Sequence, residues 1–244
     1  MAFAAIALVA ATSAAPLAAR PGVPSPIVRS LADKERPATQ VAADRTRKPA
    51  ETLAFAGVRP GMVIGEFYPG GGYFTRLLAR VVGPAGHVYA IENDKWKSSA
   101  RDDAAMAVQY PNVTLKVAPF GTVDFPQPLD LAWVTQNYHD LKIAQYGAVD
   151  TLAFDRAVFA SLKPGGVFLV IDHEAPSGTD DAAIARLHRI EKATVIREVT
   201  AAGFRLAAEG SFLRQASDDR TLPIFDKAVQ GRTDQYALKF VKPR

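Results

Sequence analysis

The chain has 244 residues, of which 48% are hydrophobic and 22% are charged, and this composition is typical of one globular domain with a sizeable core. Its formal net charge is +4, and Lys and Arg are scattered apart from a short cluster at 45–48, which argues against nucleic acid as a partner. The absence of cysteine excludes disulfides, cysteine nucleophiles and thiolate metal sites.

The first 19 residues are almost purely small and apolar, with an uninterrupted apolar stretch at 2–11. Such a segment is too short for a membrane span and has the length of the hydrophobic region of a secretory signal. We therefore expect residues 1–19 to be a signal peptide, cleaved after Ala14 or Ala19, and the mature protein to be periplasmic or secreted without a membrane span. The segment has no Lys or Arg near its start, so an upstream start or an alanine-rich extension of a cytoplasmic protein stays open.

Residues 20–48 contain four prolines among charged residues, a composition that predicts an extended tether. A helix is predicted to begin at Pro49, because proline is favoured in the first helical turn, and to run to Gly57. The folded domain is therefore expected to span residues 49–244.

Residues 62–75 predict a strand, a glycine turn and the start of a helix. An apolar run ends at Glu66, Gly70–Gly72 follow, and the next apolar residues recur at the spacings of one helix face. Glycine suits such a turn because a Cβ would hold a ligand away from the backbone and from the exposed amides of the helix start. The arrangement predicts a nucleotide-type site, although three glycines also form ordinary tight turns.

A second strand is predicted at 86–92. Its final acid, Glu92, lies 20 residues after Gly72, where doubly wound folds place a ribose-binding carboxylate. The fingerprint of dinucleotide-binding proteins is not matched, because Thr75 stands where the last glycine of that fingerprint would be.

The pattern Glu66-x-x-x-Gly70-x-Gly72-x-x-Thr75 resembles motif I of the class I S-adenosylmethionine-dependent methyltransferases. Its Pro-Gly-Gly-Gly turn further resembles an exported bacterial group of predicted methyltransferases. One position differs from the usual motif, since Tyr68 stands where most class I enzymes have a first glycine. The resemblance implies S-adenosylmethionine as the cofactor.

The rest of the chain alternates between predicted strands and helices. In chain order these are a helix at 96–110, a strand at 112–117, a loop at 118–128, a strand at 129–135, a helix at 149–162, a strand at 167–171, a helix at 184–203, and strands at 205–213 and 236–241. The segments around the strands at 129–135 and 167–171 are similar to the fourth-strand and fifth-strand motifs of the same methyltransferases. The alternation of strands and helices, together with the resemblance to these methyltransferases, predicts an α/β fold. The expected architecture is a Rossmann-like doubly wound seven-stranded sheet with one antiparallel strand. The insertion at 214–234 is predicted to be either a lid or a surface loop.

The resemblance implies a cofactor site along the carboxyl ends of the strands, where ligands bind in open parallel sheets. The residues assigned to S-adenosylmethionine are Glu66, Tyr68, Gly70, Gly71, Gly72, Thr75, Glu92 and Asn137. Class I enzymes usually hold the adenine amine with an acid after the third strand. This chain has Ala118 and Pro119 there, so Asp124 is the nearest substitute.

Three histidines, at positions 139, 173 and 188, are expected at or near this rim. His139 and His173 are the candidates for a catalytic general base, since imidazole titrates near working pH. We assign no metal ligand, while a metal site built from His139, Asp140, Asp172, His173 and Glu174 stays an alternative. A purely structural role, in which these groups bond one another, is a further alternative.

These residues predict a methyltransferase that moves the methyl group of S-adenosylmethionine to a small-molecule acceptor. The rival is a non-catalytic periplasmic protein that binds a nucleoside or a partner on the same fold, since fold alone does not determine function. A nucleotide-dependent oxidoreductase is the third interpretation, and the mismatch at Thr75 argues against it.

Overall fold

The computed structural model of the chain describes residues 22–96, 106, 108–147 and 149–244. The predicted signal peptide and most of the helix predicted at 96–110 lie outside these ranges, although Met106, Val108 and Gln109 are helical. No helix within the described ranges is long and apolar enough to cross a membrane.

Within the described ranges, seven strands form one sheet. In chain order they are β1 (Val63–Phe67), β2 (His87–Asn93), β3 (Val113–Ala118), β4 (Leu129–Thr135), β5 (Leu162–His173), β6 (Arg205–Gly210) and β7 (Gln235–Val241). Their spatial order is β3-β2-β1-β4-β5-β7-β6, and β7 runs antiparallel to both of its neighbours. The predicted fold class, a doubly wound seven-stranded α/β sheet with one antiparallel strand, is confirmed.

Helices cover both faces of this sheet. They are α1 (Ser25–Leu31), α2 (Ala38–Arg47), α3 (Pro49–Ala56), α4 (Tyr73–Val82), α5 (Thr151–Ser161), α6 (Asp181–Leu187) and α7 (Lys192–Ala201), and two 3-10 turns follow β4, at His139–Lys142 and Ala144–Tyr146. One hydrophobic core lies between the sheet and α1, α3 and α4, and the second lies between the sheet and α5, α6 and α7.

The central strand β4 supplies side chains to both cores. Leu131 and Trp133 lie in the first core, whereas Ala132 and Val134 lie in the second. Consecutive residues of a strand point to opposite faces, so a strand covered on both sides is a nearly continuous apolar run. The polar residues that follow β4 therefore leave the sheet at its carboxyl end, which is where a ligand site is expected.

The extended tether predicted at 20–48 is wrong, because α1 and α2 occupy most of the segment. Ile27 of α1 is fully buried in the first core. Pro24 and Pro37 are the N-cap residues of the two helices, and Pro26 lies in the first turn of α1. Proline costs a helix little at its start, where the amide hydrogen has no partner inside the helix, so these prolines mark helix starts.

The single helix predicted at 184–203 is also wrong. Helix α6 ends at Leu187, His188 adopts a left-handed conformation with φ of 52°, and α7 begins four residues later. Ile190 donates its amide hydrogen to the His173 carbonyl at 3.0 Å, so the break pairs with the end of β5. Ile190 follows Leu187 at a spacing of three, and this apolar spacing hides the break in the sequence pattern.

Two strand boundaries differ from the prediction by three residues or more, and several others differ by one or two. β5 begins at Leu162, because Leu162 pairs with Leu129 and the glycines at 165–166 exchange backbone hydrogen bonds with Lys242 at 2.9 Å. β6 ends at Gly210 instead of residue 213, and the chain then turns into the insertion.

Candidate functional site

A cavity of about 320 Å³ lies at the carboxyl ends of β1, β4 and β5. The predicted site residues on its wall are Glu66, Tyr68, Gly70, Gly71, Asn137, His139 and His173. Gly72, Thr75 and Glu92 are not on this wall, although Gly72 and Thr75 belong to the same turn and helix start. The structure thus brings the motif I turn and the residues after β4 and β5 to one site.

Backbone conformation separates the roles of the three glycines. Gly70 and Gly72 have φ values of 55° and 70°, in the left-handed region that favours glycine. A Cβ on Gly70 or Gly71 would meet no described atom within 4 Å. A Cβ on Gly72 would collide with Met106 Sδ and lie 2.8 Å from Arg76 Nη1. Gly70 and Gly71 therefore leave room for a ligand, whereas Gly72 leaves room for packing of the protein itself.

Glu92 supports the turn from behind, and Thr75 lies buried on the helix that follows it. The Glu92 carboxylate is fully buried and accepts hydrogen bonds from the amides of Gly70 at 3.1 Å and Asn93 at 2.7 Å. Thr75 is fully buried on α4. The predicted contact between Glu92 and a ribose stays a prediction, since both of its oxygens bind backbone amides in this structure.

Helix α2 covers the outer side of the glycine turn. Gln40 Nε2 donates to the Gly71 carbonyl at 2.7 Å, and Asp44 Oδ1 accepts a hydrogen bond from the Tyr73 hydroxyl at 2.6 Å. Arg47, the last residue of α2, lies on the cavity wall with its guanidinium 4.6 Å from the centre of the Tyr73 ring. Arg47, a member of the 45–48 cluster, thus places a cation at the cavity.

An aromatic group occupies the region where an adenine-binding acid was expected. The Tyr68 ring stacks on Phe120 with centroids 4.3 Å apart, and its hydroxyl accepts a hydrogen bond from the Gly121 amide at 3.0 Å. Trp96 and Tyr146 meet edge to face at 5.5 Å, and both lie on the cavity wall. Tyr68 thus has a role that the usual motif glycine cannot have, since its ring anchors the loop that follows β3.

Asp124 does not take the place of the adenine acid. Its carboxylate forms an ion pair with Lys116, and both side chains are exposed. Asp124 lies on a different cavity, beside Tyr89 and Phe125. The structure therefore offers aromatic faces, and no carboxylate from Asp124, to a ligand at this end of the site.

His139 stands at the centre of a buried polar network. Its Nδ1 lies 2.8 Å from Asp172 Oδ1, and its backbone amide donates to Asp172 Oδ2 at 2.8 Å. On the other side of the ring, Nε2 lies 3.1 Å from Asp140 Oδ1 and 3.3 Å from His188 Nδ1. The second carboxylate oxygen of Asp140 accepts a hydrogen bond from Asn137 Nδ2 at 3.0 Å. The two carboxylates fix the orientation of the His139 ring.

The two histidines predicted to be catalytic have opposite electrostatics. Burial disfavours a charged His139, but Asp172 and Asp140 outweigh that cost and raise the pKa of His139 to about 10. Burial lowers the pKa of His173 to about 3, and its Nδ1 lies 2.7 Å from Thr233 Oγ1. At neutral pH His139 is therefore an imidazolium, and His173 is a neutral ring.

The insertion between β6 and β7 forms one wall of the site. Its Asp218 carboxylate pairs with Arg189 at 2.8 and 3.1 Å, and both side chains are buried. Its Phe225 lies on the cavity wall, with its ring centre 4.8 Å from that of His188. The insertion thus contributes directly to the cavity and is more than a surface loop.

Several residues of the cavity wall could not be predicted from the sequence. Arg47, Trp96, Tyr146 and Phe225 lie in segments without a motif, and they reach the cavity only through the tertiary fold. His188 was expected near the rim, but inside a helix. The break after α6 places its ring 5.4 Å from that of His139.

No protein-family model matches this sequence. A ubiquinone/menaquinone biosynthesis C-methyltransferase from Ectopseudomonas mendocina is 29% identical over 129 residues, covering 51% of this chain and 47% of its own length. A protein-L-isoaspartate O-methyltransferase from Ignicoccus hospitalis is 29% identical over 123 residues, covering 50% of this chain and 52% of its own length. The chain thus spans about half the length of the curated relatives it matches.

Solved structures extend the likeness over most of the chain. A SAM-dependent methyltransferase from Aquifex aeolicus aligns with a TM-score of 0.55 and 16% identity, over 82% of this chain and 98% of its own. An S-adenosylmethionine-dependent methyltransferase from Mesorhizobium loti aligns with a TM-score of 0.55 and 17% identity, over 82% and 99%. The cyclase SpnF aligns with a TM-score of 0.58 and 17% identity, over 89% and 92%. This chain therefore has the fold that S-adenosylmethionine-dependent methyltransferases share.

Proposed function

We propose that this protein transfers the methyl group of S-adenosylmethionine to a small-molecule acceptor. The observation that carries the proposal is one cavity in which Gly70 and Gly71 face Asn137 and His139 at the carboxyl ends of β1 and β4. Ligands bind at this edge of open α/β sheets. The shared fold and the partial identity to two curated methyltransferases support the same function.

The cavity wall fits the chemistry of this methyl donor. The open space above Gly70 and Gly71 lets a ligand approach the backbone of the turn. Arg47 offers a guanidinium to the carboxylate of the methionine part, a pairing that arginine forms well. Trp96 and Tyr146 offer aromatic surface to the adenine ring. We therefore assign the donor to the 320 Å³ cavity.

A second cavity of about 240 Å³ adjoins the first and gives the acceptor a place. The two cavities share Arg47, Gln136, His173, Ile224 and Phe225 on their walls, and the second cavity also contains Thr233. Its volume lies below the range of roughly 300 to 1,000 Å³ that is usual for drug-sized ligands. We therefore assign a small acceptor, with polar groups that can bond to Gln136 and Thr233, to this second cavity.

Alignment of the two reactants is the catalytic contribution that the geometry supports best. When bound, S-adenosylmethionine supplies an electrophilic methyl group on its sulfonium. Residues that hold two reactants in line can contribute about 7 to 11 kcal/mol to lowering a barrier. A general base works best with a pKa near the working pH, whereas the pKa values of His139 and His173 are about 10 and about 3. Their role as general bases stays a prediction.

Calorimetric titration with S-adenosylmethionine, and with its demethylated product, tests the donor site. Gly70→Ala and Gly178→Ala form a matched pair, because both glycines have left-handed φ values, 55° and 82°, and a Cβ at either meets no described atom within 4 Å. Both variants bear the same backbone strain, about 1 to 2 kcal/mol. Only Gly70 lies on the cavity, so Gly70→Ala is expected to weaken binding about tenfold or more, while Gly178→Ala binds like the parent. Equal binding by the parent and both variants would place the donor elsewhere.

Transfer itself is measured with a donor whose methyl group carries an isotopic label. A panel of small phenols and amines, followed by a small-molecule extract, serves as the source of acceptors. The proposed function predicts a labelled product that depends on the protein. Tight donor binding without any labelled product would favour the non-catalytic binding protein.

We also propose that residues 1–19 direct export, so that the protein works in the periplasm or outside the cell. The support is the apolar segment at 2–11 and the small residues that follow it. Intact-mass measurement of protein from its host is expected to find a mature start near Ala15 or Arg20. Recovery from the cytoplasm with residues 1–19 still attached would reject export.

A further inference from the structure

Three potential ligand atoms converge at one point of the first cavity. His139 Nε2 lies 3.1 Å from Asp140 Oδ1 and 3.3 Å from His188 Nδ1, and the Asp140 and His188 atoms are 3.4 Å apart. A tetrahedral zinc ion with bonds of about 2.05 Å holds its ligands about 3.3 Å apart. The three atoms therefore already have the separations of ligands around such an ion.

The carboxylate in this group is incompletely satisfied by the protein. Asp140 is buried, and its Oδ1 lies 3.1 Å from His139 Nε2 and 3.4 Å from His188 Nδ1 but accepts no well-aligned hydrogen bond from any described residue. A buried carboxylate oxygen without such a partner is costly, because it has lost its hydration. A cation between Oδ1 and the two ring nitrogens would satisfy this atom and both imidazoles at once.

Contacts outside the three atoms orient each ligand. Asp172 accepts from His139 Nδ1 at 2.8 Å, so a metal ion displaces the Nε2 proton of the His139 imidazolium and binds the lone pair that this proton leaves at the shared point. Asn137 holds the other oxygen of Asp140 at 3.0 Å. His188 is fixed by its left-handed backbone and by the Phe225 ring 4.8 Å away. Carboxylate support behind a histidine ligand is the usual outer shell of a protein metal site.

We propose that His139, Asp140 and His188 bind a divalent first-row transition metal ion such as Zn²⁺. Two imidazoles and one carboxylate suit zinc and its neighbours, whereas Mg²⁺ and Ca²⁺ prefer oxygen ligands alone. All three residues lie on the wall of the 320 Å³ cavity, so a fourth coordination position faces that cavity. A water molecule can occupy this position, so the metal site does not rest on the proposed methyl transfer.

Metal binding is tested without any methyl donor. Protein freed of metal by a chelator is titrated with Zn²⁺ in a calorimeter, and with Co²⁺ in a spectrophotometer. One equivalent of Zn²⁺ is expected to bind and to raise the melting temperature, and Co²⁺ is expected to give the visible bands of a tetrahedral site. An equal concentration of Mg²⁺ should leave the melting temperature unchanged.

Substitutions identify the ligands. Asp140→Asn and His188→Asn should each lower Zn²⁺ affinity by about 100-fold or more, and asparagine tolerates the left-handed conformation at position 188. Asp172→Asn should lower the affinity by about 10- to 100-fold, because it acts through His139. His173→Gln, in the same cavity, and His87→Gln, outside it, should keep parental affinity.

The results that overturn the proposal are equally specific. One is the absence of one-to-one Zn²⁺ binding in the parent protein, and another is parental Zn²⁺ affinity in both Asp140→Asn and His188→Asn. The third is a loss of Zn²⁺ affinity in His173→Gln as large as the loss in those two variants. Circular dichroism establishes that each variant is folded, and His139→Gln replaces any variant that is not. Since no donor is present, a failure here leaves the proposed methyl transfer untouched, and a failure of methyl transfer leaves the metal site standing.

Discussion

Replacing Asp155 with asparagine will change how the stability of the fold depends on pH. Asp155 lies on α5, fully buried, and its Oδ2 accepts a hydrogen bond from the Tyr138 hydroxyl at 2.8 Å. Burial, with a smaller contribution from the Glu198 carboxylate, raises the pKa of Asp155 to about 8, although Tyr138 opposes the shift. The Asp155 carboxyl therefore keeps its proton in the folded protein at neutral pH.

The sign and size of the effect follow from this raised pKa. An unfolded aspartate has a pKa of 3.8, so between about pH 4 and pH 8 the folded chain holds one proton that the unfolded chain lacks. The resulting stabilisation is complete below pH 4 and is lost as the pH rises towards 8, by up to about 1.4 kcal/mol per pH unit. Asparagine has no such proton. The stability of Asp155→Asn relative to the parent should therefore rise by about 1 kcal/mol per pH unit from pH 5 to pH 8.

Urea unfolding followed by circular dichroism at pH 5, 6, 7 and 8 measures this difference directly. Other groups titrate over the same range, but they are common to the parent and the variant and cancel in the difference. Asp94→Asn, at an exposed position, is the matched control and should run parallel to the parent at every pH. If Asp155→Asn also ran parallel to the parent, the carboxyl would be ionised in the folded state and the reasoning from burial would be refuted.

Glu92→Ala removes the carboxylate that binds the Gly70 amide. It should reduce both the donor affinity measured by calorimetry and the free energy of unfolding by about 1 to 3 kcal/mol, whereas a loss of affinity alone would indicate a direct ligand contact. Trp96→Ala should weaken donor binding by about 1 to 3 kcal/mol, and Trp96→Phe should restore most of it, if an aromatic face meets the adenine ring. Arg189→Met leaves the buried Asp218 carboxylate without its cationic partner, so it should cost about 3 to 5 kcal/mol in denaturant unfolding. The double variant with Asp218→Asn should recover part of this loss, and a double variant no more stable than the single one would contradict the pairing.

The features that could be predicted from the sequence are those determined by neighbouring residues. The run at 129–135 matches β4 residue for residue, because a strand covered on both faces is a nearly continuous apolar run. The glycine turn was equally readable, since left-handed conformations at Gly70 and Gly72 leave few alternatives to glycine. Both features depend on local backbone geometry, which a short stretch of sequence specifies.

The features that could not be predicted depend on contacts between distant segments. The break at His188 follows from pairing of Ile190 with the end of β5, and the apolar spacing through the break is still that of a helix. The prolines at 24 and 37 contributed to the prediction of an extended tether, although a proline at the N-cap is compatible with a helix. Arg47 reaches the cavity only because α2 folds back over the glycine turn through Gln40.

The insertion at 214–234 forms one side of the cavity and can vary independently of the other side. The glycine turn and α2 shape one side, while the insertion shapes the other with Phe225 and is anchored through Asp218. Its two ends continue into the paired strands β6 and β7, so its length and tip can change in evolution without shifting the sheet. Exchange of the segment around Phe225, with Arg189 and Asp218 retained, would thus change the shape of one side of the cavity and leave the glycine turn on the other side unchanged.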